Sequence, residues 1–252
     1  MTKYILVASG KGGVGKSTCA VNLAASFNYF NKDTILVDAN INNPNLSLNL
    51  GLINLKRNLQ DVLLGKYHII EALYNHPSGI RIVPLSIETS YIAKLNLSNL
   101  RQAIYGLDGI TDFVIVDGTS GNNIDTINLI NSIDEVIVIV NPETASLTDA
   151  MKTIRIANYY KKPIRGIILN KTTNNDFFNE SDIKAILKRE VLGVIENDDK
   201  VKLSNYYKDS VVNLYPLSQS SLGFKKIASN LLNEHYEVEF ENKGFFSKIF
   251  RR

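Results

Sequence analysis

Eight residues constrain this chain more than any others: Gly10-Lys11-Gly12-Gly13-Val14-Gly15-Lys16-Ser17. They match the phosphate-loop pattern GxxxxGK[ST], which belongs between a strand and a helix. The flanking sequence supplies both. Tyr4 to Ala8, YILVA, is a short apolar strand run, and Ser17 to Phe30 places Ala20, Leu23, Ala24 and Phe27 at helical spacing. Glycines let backbone N–H groups converge on phosphate oxygens, and a helix N-terminus adds a positive dipole end. Lys16 supplies a mobile cation, and the Ser17 hydroxyl suits Mg²⁺. The same letters contain GxGxxG at Gly10, Gly12 and Gly15, with Asp38 about twenty residues on, so a dinucleotide site is the competing reading. That site has no need of Lys16 and Ser17 directly after the last glycine, and a polyphosphate site needs both.

The rest of the chain repeats the alternation. Thr34 to Val37, Ile80 to Val83, Phe113 to Val116, Val136 to Val140, Gly166 to Leu169, Leu192 to Ile195 and Val211 to Leu214 are further strand candidates between amphipathic stretches. The expected fold is therefore α/β: a doubly wound, mostly parallel sheet with helices on both faces. With 252 residues, 44% hydrophobic and 21% charged, the chain can bury one sizeable core. Residues 1–236 read as one phosphate-loop domain and 237–252 as an appendage. A single cysteine, Cys19, excludes an intramolecular disulfide framework and a multi-cysteine metal cluster, and the three histidines lack metal-ligand spacing. Unbroken apolar runs reach only about five residues, against roughly 20 for a membrane span. With no signal peptide at the start, the expected compartment is the cytoplasm.

The additional lysine, Lys11, gives the loop a second specificity. KGGVGKS resembles the deviant Walker A motif of the MinD/ParA family of ATPases. That resemblance implies binding of ATP or ADP with Mg²⁺ by Gly10 through Thr18, and an ATP-state homodimer in which Lys11 reaches the opposite subunit's phosphates. Asp117, at the end of Phe113 to Val116 and followed by Gly118-Thr119-Ser120-Gly121, resembles the second switch, with Thr119 where the family usually has proline. Leu36-Val37-Asp38-Ala39-Asn40 resembles the first switch, where the family reads Asp-x-Asp; Asp38 is a candidate metal or water ligand alongside Ser17 and Asp117. Asn40 stands in place of the second acid. An amide hydrogen-bonds a water but cannot take its proton, so slow hydrolysis is expected. Asn141 to Ala150 resembles the MinD branch, where acids matching Glu143 and Asp149 face the partner's lysine. Asn170 stands where the family recognises adenine. The absence of further cysteines argues against the iron–sulphur members of the superfamily.

The C-terminus is read from its residues. At about 100° per residue, Phe245, Phe246, Ile249 and Phe250 fall on one side of a helix, and Ser247, Lys248, Arg251 and Arg252 on the other. Such a helix is an interfacial membrane anchor, and it resembles the membrane-targeting tail of the MinD branch. Insertion, electrostatic attraction and ordering cost nearly cancel for one tail, whereas two tails on a dimer gain a factor of roughly 10² to 10⁴ by avidity. The formal charge of +3 arises from 28 basic and 25 acidic residues. Removing Lys243, Lys248, Arg251 and Arg252 leaves 24 against 25, so the body is −1 and no specific nucleic acid is expected. The resemblance implies an anionic inner membrane surface and a hydrolysis-regulating protein as partners, and a role in placing cell-division or other machinery at the membrane. A ParA-like DNA-partitioning ATPase and a flagellar or array positioning factor share the same switch.

Overall fold

β-branched, apolar runs make the strands because such side chains pack on a pleated surface buried from both sides. The computed structural model describes residues 1–86 and 97–237. Its strands are β1 (Lys3–Ser9), β2 (Thr34–Asp38), β3 (Tyr74–Asn75), β4 (Arg81–Val83), β5 (Phe113–Ser120), β6 (Glu135–Val140), β7 (Ile164–Thr172) and β8 (Val191–Glu196). The helices are α1 (Lys16–Tyr29), α2 (Leu46–Asn49), α3 (Leu59–Leu63), α4 (Leu100–Ile104), α5 (Ile124–Ser132), α6 (Thr144–Tyr159), α7 (Glu180–Leu187), α8 (Asp199–Tyr206), α9 (Val211–Leu214) and α10 (Gln219–Leu232). The strands form one sheet in the order β3-β4-β2-β5-β1-β6-β7-β8. All pairings are parallel except β3 with β4. β3, only two residues long, carries no alternation by which the sequence could announce it.

Period-two alternation along β1 divides the core between two faces. Tyr4, Leu6 and Ala8 point into a cluster with α5, α6 and α7, while Ile5 and Val7 point into a second cluster with α1, α9 and α10. This is the doubly wound arrangement expected, with β1 at the centre and its C-terminal end delivering the glycine loop between the two layers.

One expected strand is a helix. Val211 to Leu214 reads as β because of its paired valines, yet it forms α9. The side chain of Asn22, buried in α1, accepts from the backbone N–H groups of Val211 (2.9 Å) and Val212 (3.4 Å), and Ser210 Oγ accepts from Asn213 N at 3.1 Å. Donors that a strand would send sideways are thus taken up at a helix N-terminus.

At the C-terminal end of α1, Tyr236 packs edge-on against Tyr29 and Phe30, and Lys32 pairs with Glu234 at 2.9 Å. The expected anchor, with Phe245, Phe246, Lys248, Ile249, Phe250, Arg251 and Arg252, lies outside the described residues. Among the described residues no helix is long and apolar enough to cross a membrane.

Candidate functional site

The glycine loop leaves β1 and turns into α1 through residues whose backbone a side chain would distort. Gly13 (φ 78°) and Gly15 (φ 93°) occupy the left-handed region that glycine adopts without strain. A Cβ on Gly10 would collide with the backbone of Asp149, and one on Gly15 with the amide nitrogen of Asn170. No side chain caps the N-terminus of α1, so its first amide groups are left for a ligand.

Below the loop lie two buried acids and one buried base. Asp38 and Asp117 are register partners on β2 and β5, both with no exposed surface. Lys16 Nζ donates to Asp117 Oδ1 at 2.6 Å, with only 4% of Lys16 exposed. Asp38 accepts from the backbone N–H of Asn40 (3.0 Å) and of Leu46 (3.2 Å). Burial, and then the neighbouring Asp117 charge, nevertheless push its carboxyl up to about 7. Asp117 Oδ2 is buried with no hydrogen-bond partner. Two carboxylates against one ammonium leave this pocket short of positive charge, and the orphaned oxygen has nothing to accept from. With the Ser17 hydroxyl in the first turn of α1 the donors are all oxygen, which fits a hard divalent cation such as Mg²⁺ completed by phosphate and water ligands. Cys19, on the same helix, is fully buried and its thiol is pushed up to about 12 by desolvation; it is a packing residue.

A cavity of about 410 Å³ opens onto the loop. Lys16, Ser17, Thr18 and Asn40 line it together with Asn170, Ile195, Asp198, Val201 and Phe224. Of the sequence candidates, Gly13, Gly15, Lys16, Ser17, Thr18, Asn40 and Asn170 therefore share one space. Asn170 uses its amide nitrogen to donate to Val14 O at 2.7 Å, which ties it to the loop as well as to the cavity. In the orientation that satisfies both ends of its amide, Asn141 donates to Val14 O and Asn170 O, each at 3.1 Å.

Lys11, Glu143 and Asp149 are arranged differently. A second cavity, about 400 Å³, lies beside Lys11, Gly12, Glu143 and Lys171. Lys11 Nζ donates to Glu143 Oε2 within the same chain. Asp149 pairs with Lys152 at 2.9 Å, and its carbonyl backs the start of the loop at Gly10.

Three contributors escaped the sequence reading. Lys171 Nζ donates to Gly13 O at 2.7 Å, Asn141 braces Val14, and the stretch Glu196 to Asp198 after β8 forms part of the cavity wall. The signal for Lys171 was present, as the cation directly after Asn170; nothing local marked the other two.

Comparison with known proteins agrees with this geometry. The model of the CobQ/CobB/MinD/ParA nucleotide-binding domain matches residues 5–211. An uncharacterised ATP-binding protein of Methanocaldococcus jannaschii is 33% identical over 256 positions, covering 100% of this chain and 96% of its own. The cell division ATPase MinD of Pyrococcus furiosus superposes with a TM-score of 0.88 at 26% identity, over 92% of this chain and 99% of that one. The septum site-determining protein MinD of Pyrococcus horikoshii OT3, solved as a complex with Mg-ADP, gives 0.86 at 28% identity over 99% and 100%. Phosphate loop, buried acid pair, strand order and full-length similarity converge: the chain belongs to the CobQ/CobB/MinD/ParA nucleotide-binding family and is a MinD-like member of it.

Proposed function

We propose that this protein is an ATP-dependent dimerising ATPase that associates with membranes, binding ATP or ADP with Mg²⁺ in the cavity at the glycine loop. The observation that carries the reading is the buried Lys16–Asp117–Asp38 group, whose charge deficit and orphaned Asp117 oxygen call for a cation directly under a polyphosphate cradle. Ser17, Asp117 and Asp38 are the residues that would hold Mg²⁺, directly or through water. When bound, the ion neutralises phosphate charge and offsets the burial cost of the acids. The uncapped amides of α1 and the Lys16 ammonium bind and orient the phosphates. Because phosphoryl transfer depends chiefly on positioning and electrostatics, this loop suffices for hydrolysis, and Asn40 keeps it slow by positioning water without accepting its proton.

Lys11 is the residue assigned to the second subunit. Its pair with Glu143 is exposed on both sides, at 37% and 54%, and an ion pair of that kind is worth under about 1 kcal/mol. Lys11 can therefore exchange Glu143 for a phosphate across a dimer at little cost, leaving the acid to steer the incoming partner. The tail at residues 243–252 then couples the dimer to an anionic membrane surface, because two marginal anchors bind far better than one. Static light scattering tests the dimer step. Wild-type protein is expected to double in mass with a non-hydrolysable ATP analogue and not with ADP, and Lys11→Ala to remain monomeric with both while still binding nucleotide. Dimerisation of Lys11→Ala with the analogue would refute the role given to Lys11.

A further inference from the structure

Four neighbouring strands present their C-terminal ends at the edge of the sheet that carries the glycine loop, in the spatial order β5, β1, β6, β7. Each is followed by an accessible side chain of distinct character. Ile124, at the start of α5 after β5, is 65% exposed, and Phe177, after β7, is 96% exposed. Between them stand Lys11 after β1 and Glu143 after β6, joined to each other within the chain. Along this edge the order of side chains is therefore apolar, cationic, anionic, apolar.

Neither apolar side chain is carried on a loose loop. The Asn123 side chain accepts from Thr126 N at 3.1 Å, and Thr126 Oγ1 donates to Gly121 O at 2.7 Å, which closes the turn that presents Ile124. After β7, Asp176 accepts from Thr173 N at 2.7 Å and from Thr173 Oγ1 at 2.8 Å, while the next residue but one, Phe178, packs against the core. Phe177 is thus held outward from a turn fixed on both sides. Single exposed apolar residues are common and need no partner. What gives this pair meaning is its placement on either side of two opposite charges.

A two-fold axis brings two copies of one edge together in reversed order. Reversal about the centre of this edge sets Lys11 against Glu143 of the partner subunit, and Ile124 against Phe177 of the partner subunit. Unreversed superposition would set like charges against each other. We propose that Ile124 and Phe177 are the apolar anchors of the ATP-state dimer, each packing on the other across a two-fold axis that passes between Lys11 and Glu143. The occupant of this face is then a second copy of this chain. The proposal rests on the dimer reading above and adds to it the side chains that supply apolar burial. The charges fix the register of the two copies, and the apolar contacts supply affinity at little ordering cost because both turns are already fixed.

Light scattering over a range of concentrations of the full chain, with Mg²⁺ and a non-hydrolysable ATP analogue, measures the dimer dissociation constant. Losing one such contact costs about tenfold and the axis supplies two, so Ile124→Ala and Phe177→Ala are each expected to weaken dimerisation about a hundredfold. The double variant is expected to lose little more than either alone, because both changes break the same contact. Ile124→Lys and Phe177→Glu report the pairing itself. Neither is expected to dimerise alone, and a mixture is expected to associate about tenfold or more tighter than either, since one contact becomes an ion pair and the other stays apolar. Alanine variants that dimerise at the wild-type dissociation constant, or a mixture no tighter than its components, would overturn the proposal and leave the dimer reading standing. Wild-type protein that stays monomeric with the analogue would overturn the dimer reading, and with it the proposal, without reference to any variant. Unfolding midpoints and calorimetric binding of Mg²⁺-ADP that match wild type establish that the changes are those of association.

Discussion

In the proposed ATPase, Asn40 is the side chain that would separate binding from hydrolysis most sharply. It is 5% exposed, lines the nucleotide cavity, and its backbone N–H donates to Asp38. Its amide can hold a water but takes no proton. Asn40→Asp is expected to raise the single-turnover rate of ATP hydrolysis by about tenfold or more, toward the range typical of a positioned general base. An unchanged rate would show that proton acceptance at this position does not limit the chemistry. The loop, Asp117, Asp38 and Asn170 were legible in sequence because each belongs to a short motif at a strand end. Lys171 was marked only as the cation directly after Asn170, and the bracing role of Asn141 was not marked at all. Their targets are backbone carbonyls of the loop, 158 positions away in the case of Lys171, and a carbonyl oxygen leaves no mark in the sequence.

At the level of elements, α9 shows how distant side chains override local propensity. Val211 and Val212 favour a strand by themselves, but Asn22 and Ser210 supply acceptors to the free N–H groups of a helical turn. Asn22→Ala leaves those buried donors unpaired and is expected to cost about 2 kcal/mol in urea unfolding; a loss below about 0.5 kcal/mol would mean that α9 holds without it. Asp198 ties α8 to α10 in a similar manner. Burial alone would raise its carboxyl, but hydrogen bonds from Ser220 Oγ, from the backbone N–H groups of Lys200 and Ser220, and from Ser218 outweigh that and hold it below the usual carboxylate range. A depressed acid stabilises the fold fully above its unfolded value, near 3.9, and progressively less as pH falls through the folded one. The stability advantage of wild type over Asp198→Asn is therefore expected at pH 6 and diminished at pH 3, as read from unfolding midpoints. An advantage independent of pH would assign it to packing. The parallel sheet and its two helical layers were readable because buried strands are continuous apolar runs. The two-residue β3 is too short to carry a period.

For the whole molecule, the decisive relation is between the nucleotide end of α1 and the end from which the chain leaves the domain. α1 begins at the glycine loop and ends where Phe30 and Tyr29 receive Tyr236. The body carries a formal charge of −1, and the net positive charge is concentrated in residues 243–252, so in the proposed function the tail would supply the attraction to an anionic surface. In the proposed function nucleotide state would act on that attraction through valency, a dimer bringing two tails where a monomer brings one. Sedimentation with vesicles containing anionic phospholipid tests this coupling most directly. The expected result is pelleting with ATP, little with ADP, and little with either when residues 243–252 are removed. Equal pelleting with ATP and ADP, or pelleting unaffected by the truncation, would contradict it.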